Sequence, residues 1–207
     1  MNKKVNPELL PLIEWWEKGG KKIVLVLILI LAAWGSWRFY RTHEAQTKTA
    51  AATALASAWT TEELEEAVTA FGARDIGPLL KLRLAKNYFD SARYEEALAL
   101  YETLPGSLDE AFKDIPVLGR AQSLEALGRV DEALAAYEAL GAGEKDAPFT
   151  LTAQIGAARC LCQKGDKTKA LARLSAMKAA NKGDEMATLR IESAESLITR
   201  AKAKSAK

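Results

Sequence analysis

The sequence predicts an all-α protein: one N-terminal transmembrane helix, then an α-solenoid of stacked helix pairs closed by a C-terminal capping helix. Three observations carry this. Ile23 to Trp37, IVLVLILILAAWGSW, is the only uninterrupted apolar run in the chain. Beyond it Ala, Leu, Glu and Lys dominate and β-branched runs are absent, a helical composition. A pattern of small and large residues then recurs three times at spacings of 36 and 37 residues.

Residues 1–22 form an arm. Pro7 and Pro11 break it early, so the sequence places any short interfacial helix over Leu12 to Lys18, with Trp15 and Trp16 at its end. Gly19-Gly20 loosens the joint to the apolar run.

Residues 23–40 are the membrane span. The run Ile23 to Trp37 measures about 22 Å as a helix, short of a hydrocarbon core of about 30 Å. Extension through Arg38, Phe39 and Tyr40 reaches about 27 Å, with Arg38 long enough to reach the headgroups. Trp15 and Trp16 on one side, and Trp34, Trp37 and Tyr40 on the other, are residues that favour the interface. A cleaved signal peptide fits less well, because the preceding arm carries Glu8, Glu14 and Glu17, and Trp34 and Trp37 crowd the small-residue site at Ala33-x-Gly35. Lys3, Lys4, Lys18, Lys21 and Lys22 precede the run, against Arg38, Arg41 and Lys48 after it. The positive-inside rule therefore predicts a cytoplasmic N-terminus and a C-terminal domain outside the cytoplasm.

Residues 41–74 hold a stalk and N-terminal cap helices. No proline or glycine interrupts Trp37 to Trp59, so the membrane helix is expected to run on to Trp59. Thr60-x-x-Glu63 is a capping box that starts a helix from Thr61 to about Phe71, ended by Gly72.

Residues 75–180 carry the three units, from about Pro78 to Leu104, Asp114 to Leu140 and Leu151 to Met177. Ala97, Ala133 and Ala170 align, each followed by leucine. Twelve residues earlier stand Ala85, Ala121 and Ala158, and four residues later Tyr101, Tyr137 and Leu174. Ala92, Gly128 and Gly165 mark the turn inside each unit. Each unit is thus two amphipathic helices with small residues where backbones cross. One pair cannot bury its own apolar faces, so neighbours must stack. Asp75, Asp114 and Asp146 are expected to cap the first helices.

The units, AKNYFDSARYEEALALYETL above all, resemble the tetratricopeptide repeat. The resemblance covers about Asp75 to Met177 and implies a right-handed superhelix of helix pairs. The longer period departs from the usual 34 residues, as do Lys167 for Tyr94 and Val130, and Leu174 for a tyrosine. Residues 45–71 look like a degenerate first unit. Residues 181–207 are a last helix, with Met186, Leu189, Ile191, Ala194, Leu197 and Ile198 on its apolar side, and a basic tail at Lys202, Lys204 and Lys207; the helix is expected to act as the solvating cap.

Chemistry is sparse. His43 is the only histidine and has no triad or metal companions in the sequence. Cys160 and Cys162 lie two apart on one helix, cannot bond each other there, and read as small apolar fillers. Glu95-Glu96 and Asp131-Glu132 open second helices, where they suit the helix dipole. No phosphate-binding loop or metal-spaced cluster occurs, so no catalytic, cofactor or metal residue is assigned. The residues beyond 40 hold 23 of the chain's 29 basic and 24 of its 27 acidic side chains, which argues against nucleic acid. By resemblance to the repeat family, the binding groove is lined by the first helix of each pair: Leu82, Lys86 and Phe89, then Leu118, Gln122 and Glu125, then Ile155, Arg159 and Cys162. The basic carboxylate clamp found in some family members is absent from these positions.

The whole layout, from WWEKGGKKIVLVLILILAAWGSWRFYRTHEAQ onward, is similar to the ancillary subunit of the SecYEG translocon. That resemblance implies a non-enzymatic docking module in the bacterial inner membrane, with periplasmic repeats linking the translocon to periplasmic chaperones or exported clients. The alternatives are an envelope-assembly or cell-division coordinator with periplasmic repeats, an N-anchored organelle import receptor, and a membrane enzyme using Cys162 or His43.

Overall fold

The computed structural model describes residues 15–104, 106, 108–143 and 148–205, with side-chain surroundings to residue 200. Of the helix expected over Leu12 to Lys18, the part before Trp15 lies outside the described residues, as do the prolines of the arm and Asp146, and the side chains of the basic tail are not described. Every regular element among the described residues is helical. The chain divides into two compact units, residues 1–53 and 54–207.

The first unit holds a wide turn over Trp16–Gly20 and most of helix α1, Lys21–Ser57. Gly19 makes the break, with φ of 135°, and the ring of Trp15 lies where a Cβ on Gly20 would stand. Among the described residues α1 is the one helix long and apolar enough to cross a membrane. Its apolar side chains have no protein cover: Ile23, Leu25 to Leu31, Trp34 and Trp37 are all exposed. Arg38 and Arg41 stack on Trp34 and Trp37, with guanidinium carbons 5.8 and 5.2 Å from the ring centroids.

The helix stops at Ser57, not Trp59. The capping box is the reason. The Glu63 carboxylate accepts the N–H groups of Trp59 and Thr60 at 2.8 and 3.1 Å, so they are turned away from the preceding helix. Thr60 Oγ1 accepts the Glu63 N–H in return and starts α2, Thr61–Phe71. Gly72 caps α2 in the right-handed region (φ −63°), not in a left-handed one, because its N–H completes a helical bond to Val68.

Three helix pairs follow: α3 (Gly77–Asp90) with α4 (Tyr94–Glu102), α5 (Asp114–Ala126) with α6 (Val130–Gly141), and α7 (Thr150–Gln163) with α8 (Lys167–Ala180). The last helix is α9, Glu185–Ser205. From α2 onward each helix packs on the next, and α3, α5, α7 and α9 also touch in succession. The pattern is that of helical repeats, with buried clusters between neighbouring pairs.

The aspartate caps fail. Ile76 and Lys113 stand at the cap positions of α3 and α5, and neither makes a side-chain cap bond. Pro78 in the first turn of α3 has no N–H to satisfy, and Asp114 already lies inside α5. Asp114 still meets the positive end of the dipole from within the first turn.

The turns inside the pairs are alike. Ala92, Gly128 and Gly165 have φ of 60°, 74° and 91°. In each, the next residue's N–H reaches back five residues: Arg93 to Tyr88, Arg129 to Leu124 and Asp166 to Leu161, at 2.8–2.9 Å. These are Schellman closures, which need a left-handed residue. Only the first unit fills that position with a Cβ. Ala92→Gly should therefore raise stability by about 0.5–1 kcal/mol, the left-handed strain less the added freedom of the unfolded chain. Gly128→Ala should lower it by about 0.5–1 kcal/mol, the same two terms with opposite sign, since the added Cβ meets no atom within 4 Å. Urea unfolding followed by circular dichroism measures both.

Candidate protein-binding surface

The expected groove residues fall at three equivalent levels on α3, α5 and α7. At the first level, Leu82 is half-buried against the α2–α4 cluster, while Leu118 and Ile155 are 9% and 8% exposed. Leu118 is part of the central buried cluster. Its helix is drawn in because Gly119 beside it lets the Tyr101 ring approach. Ile155 belongs to the last cluster and also floors a cleft, described below.

At the second level stand Lys86, Gln122 and Arg159. Lys86 is exposed and its ammonium is held by Asp90 one turn on. Gln122 is half-buried. Arg159 is bound to the preceding pair. Its Nε donates to Glu125 Oε1 at 2.9 Å and its terminal nitrogen to Oε2 at 2.6 Å, a bidentate pair. At the third level, Phe89 packs edge-on against Tyr94 with centroids 5.3 Å apart, and Cys162 is half-buried against the last cluster. Glu125 at this level is the centre of a network. It also accepts from the Tyr137 hydroxyl at 2.8 Å and from Gln163 Nε2 at 3.1 Å.

The sequence reading missed this network. Glu125, Arg159 and Tyr137 are far apart in the chain, and only the stacking of α5, α6 and α7 brings them together. The one available signal was that Glu125 occurs at the level where the other units have Phe89 and Cys162. The Glu125 carboxylate lifts the Arg159 guanidinium further above its ordinary range. Burial pushes the Tyr137 hydroxyl well up, helped by Glu125. Among the described residues no buried side-chain polar atom lacks a partner. The charges of the network join α5 to α7.

A cleft of about 260 Å³ lies between α7 and α9, lined by Thr152, Ile155, Arg190, Ser193, Ala194 and Leu197 beside Arg159. Arg190 donates to Thr152 Oγ1 at 2.7 Å across it. Lys167, which replaces the Tyr94 and Val130 of the other units, donates to the Thr199 carbonyl at 3.0 Å and ties α8 to α9. Apolar floor and polar rim suit a peptide or a helix side. Among the described residues no cluster of three or more His, Cys, Asp or Glu is placed to hold a metal. His43 is exposed on α1, and Cys160 is buried with its thiol pushed up to about 12 by that burial. No family model matches the sequence, and no curated protein matches it.

Two outcomes follow. Glu125→Ala should cost about 2–3 kcal/mol, below the 3–5 of a fully buried pair because Arg159 is partly exposed. Glu132→Ala, which breaks an exposed pair with Arg129, should cost under about 1 kcal/mol in the same unfolding assay. Burial also lifts the Tyr101 hydroxyl from 10.0 to about 12. The folded chain holds that proton longer than the unfolded chain. The resulting stability is therefore complete below pH 10 and is lost as pH rises from there through about 12. Thermal melts across this range should fall less steeply for Tyr101→Phe.

Proposed function

We propose that this chain is a membrane-anchored, non-enzymatic scaffold for protein–protein interaction, its repeats forming an α-solenoid of the tetratricopeptide type. The observation that carries the reading is a contrast within one chain. The apolar side chains of α1 at Ile23 and from Leu25 to Leu31 are exposed, while the helices beyond it bury theirs against one another in order. A lipid bilayer is the natural environment for the first, and stacked pairs are the ordinary solution for the second. The shared Schellman turns at Ala92, Gly128 and Gly165, and the Tyr–Gly contacts between pairs, support the repeat assignment.

In this reading the N-terminus is cytoplasmic and the repeats stand in the periplasm of a bacterial inner membrane, as the lysine excess before the span favours. The partners follow from the resemblance in the sequence: the Sec translocon near the span, and periplasmic chaperones or exported proteins at the repeats. Anchoring raises the effective concentration of the repeats at such partners without any chemistry of their own.

The placement and the partner are tested separately. A phosphatase reporter fused after Lys207 should be active, which requires export; activity only of a cytoplasmic reporter at that site contradicts the orientation. Photocrosslinkers at positions from Arg38 to Lys48 should capture translocon subunits in cells; capture of none of them removes the Sec assignment and leaves the anchored scaffold standing.

A further inference from the structure

The last helix does not close the array as a solvating cap should. Ala187, Ile191, Ala194 and Ile198 of α9 are buried against α7 and α8. Met186, Leu189 and Leu197 are 67%, 60% and 62% exposed. With Ser193 and Arg200 they recur at helical spacing and form a second stripe beside the buried one. A capping helix with a polar outer face is what a repeat array needs for solubility. This one offers an apolar row instead, next to the open α7–α9 cleft that Leu197 and Ser193 also line.

The two leucines of the stripe stand symmetrically about Ser193. Leu189 lies four residues before it and Leu197 four residues after. Glu185 lies near the start of the helix and Arg200 near the end, both exposed. Two such helices crossing antiparallel at Ser193 would set Leu189 of each against Leu197 of the other, twice, about 12 Å apart. Arg200 of each would lie over Met186 of the other, seven residues from Ser193, with its guanidinium in reach of the neighbouring Glu185 at both ends. The small Ser193 at the centre permits close approach of the backbones. A patch that complements itself under a two-fold axis is what an isologous dimer requires.

We propose that the exposed face of α9 is the docking surface for a second copy of this chain, packed antiparallel about Ser193 with the facing Leu189 at the mouth of the α7–α9 cleft. The inference rests on this helix face and not on the membrane reading. It leaves the α3 and α5 surfaces to other partners.

The test uses the full-length chain expressed in cells. Only residues on the two-fold axis can bond to their own copies, so Ser193→Cys should form a disulfide-linked dimer on mild oxidation, at least about tenfold above Ser175→Cys, an exposed site on α8, and above the unsubstituted chain. Adding Leu189→Glu with Leu197→Glu should abolish that dimer. Both leucines are exposed, so the helical circular dichroism should be unchanged. Mass photometry of the purified chain in detergent should find two copies per particle, and one in the double variant. Ser193→Cys crosslinking no better than Ser175→Cys, or crosslinking only to a protein of another mass, overturns the proposal.

Discussion

The array depends on one repeated contact: a ring from the second helix of a pair seated on a glycine of the next pair's first helix. A Cβ on Gly119 would stand 2.4 Å from the Tyr101 ring, and a Cβ on Gly156 would stand 2.6 Å from the Tyr137 ring. Real carbon contacts do not come so close, so each glycine is a socket cut to its ring. Tyr101 and Tyr137 are 3% and 0% exposed as a result. Burial on this scale favours folding strongly and fixes the spacing between pairs, because interiors pack like crystals and tolerate neither a gap nor an added methyl. At the last pair Leu174 replaces tyrosine, and α9 meets it with Ile191, Ala194 and Ile198 in place of a glycine socket.

The sockets explain where polar groups can live. Seating Tyr137 carries its hydroxyl to Glu125, which then holds Arg159 and Gln163 from the next pair. In the first unit Phe89 stands where Glu125 would, so the Tyr101 seat is made by packing without that carboxylate. At the start of the array the role passes to Glu65 of α2, which accepts the Tyr88 hydroxyl at 2.7 Å and pairs with Arg93 at 3.3 Å. Arg93 also covers the Tyr88 ring at 4.2 Å. Charge thus follows the packing. The residues that a groove reading assigns to a ligand are in part the fasteners of the stack.

Much of the architecture was legible because it rests on local rules. The apolar run, the Thr60–Glu63 box and the three turns at Ala92, Gly128 and Gly165 need only a few neighbouring residues to be read. Alignment of Ala97, Ala133 and Ala170 located six helices for the same reason. The failures are where contacts between distant residues decide. Aspartate caps were inferred from residue type, but the starts of α3 and α5 are set by Pro78 and by packing. The side of α9 left open could not be read from its apolar count, since Met186, Leu189 and Leu197 look like core residues until α7 and α8 have chosen Ile191 and Ile198. The Glu125 network was invisible for the same reason, as three helices must assemble before it exists.

The most direct test of the ring-and-socket account is a double-mutant cycle between Gly156 and Tyr137, measured by urea unfolding. Gly156→Ala alone should cost about 1–3 kcal/mol by overpacking. In the Tyr137→Leu background, which copies the residue of the last pair, the same alanine should cost much less, giving a coupling of at least about 1 kcal/mol. Equal costs in the two backgrounds would contradict the account, because the ring would then not be what the glycine makes room for.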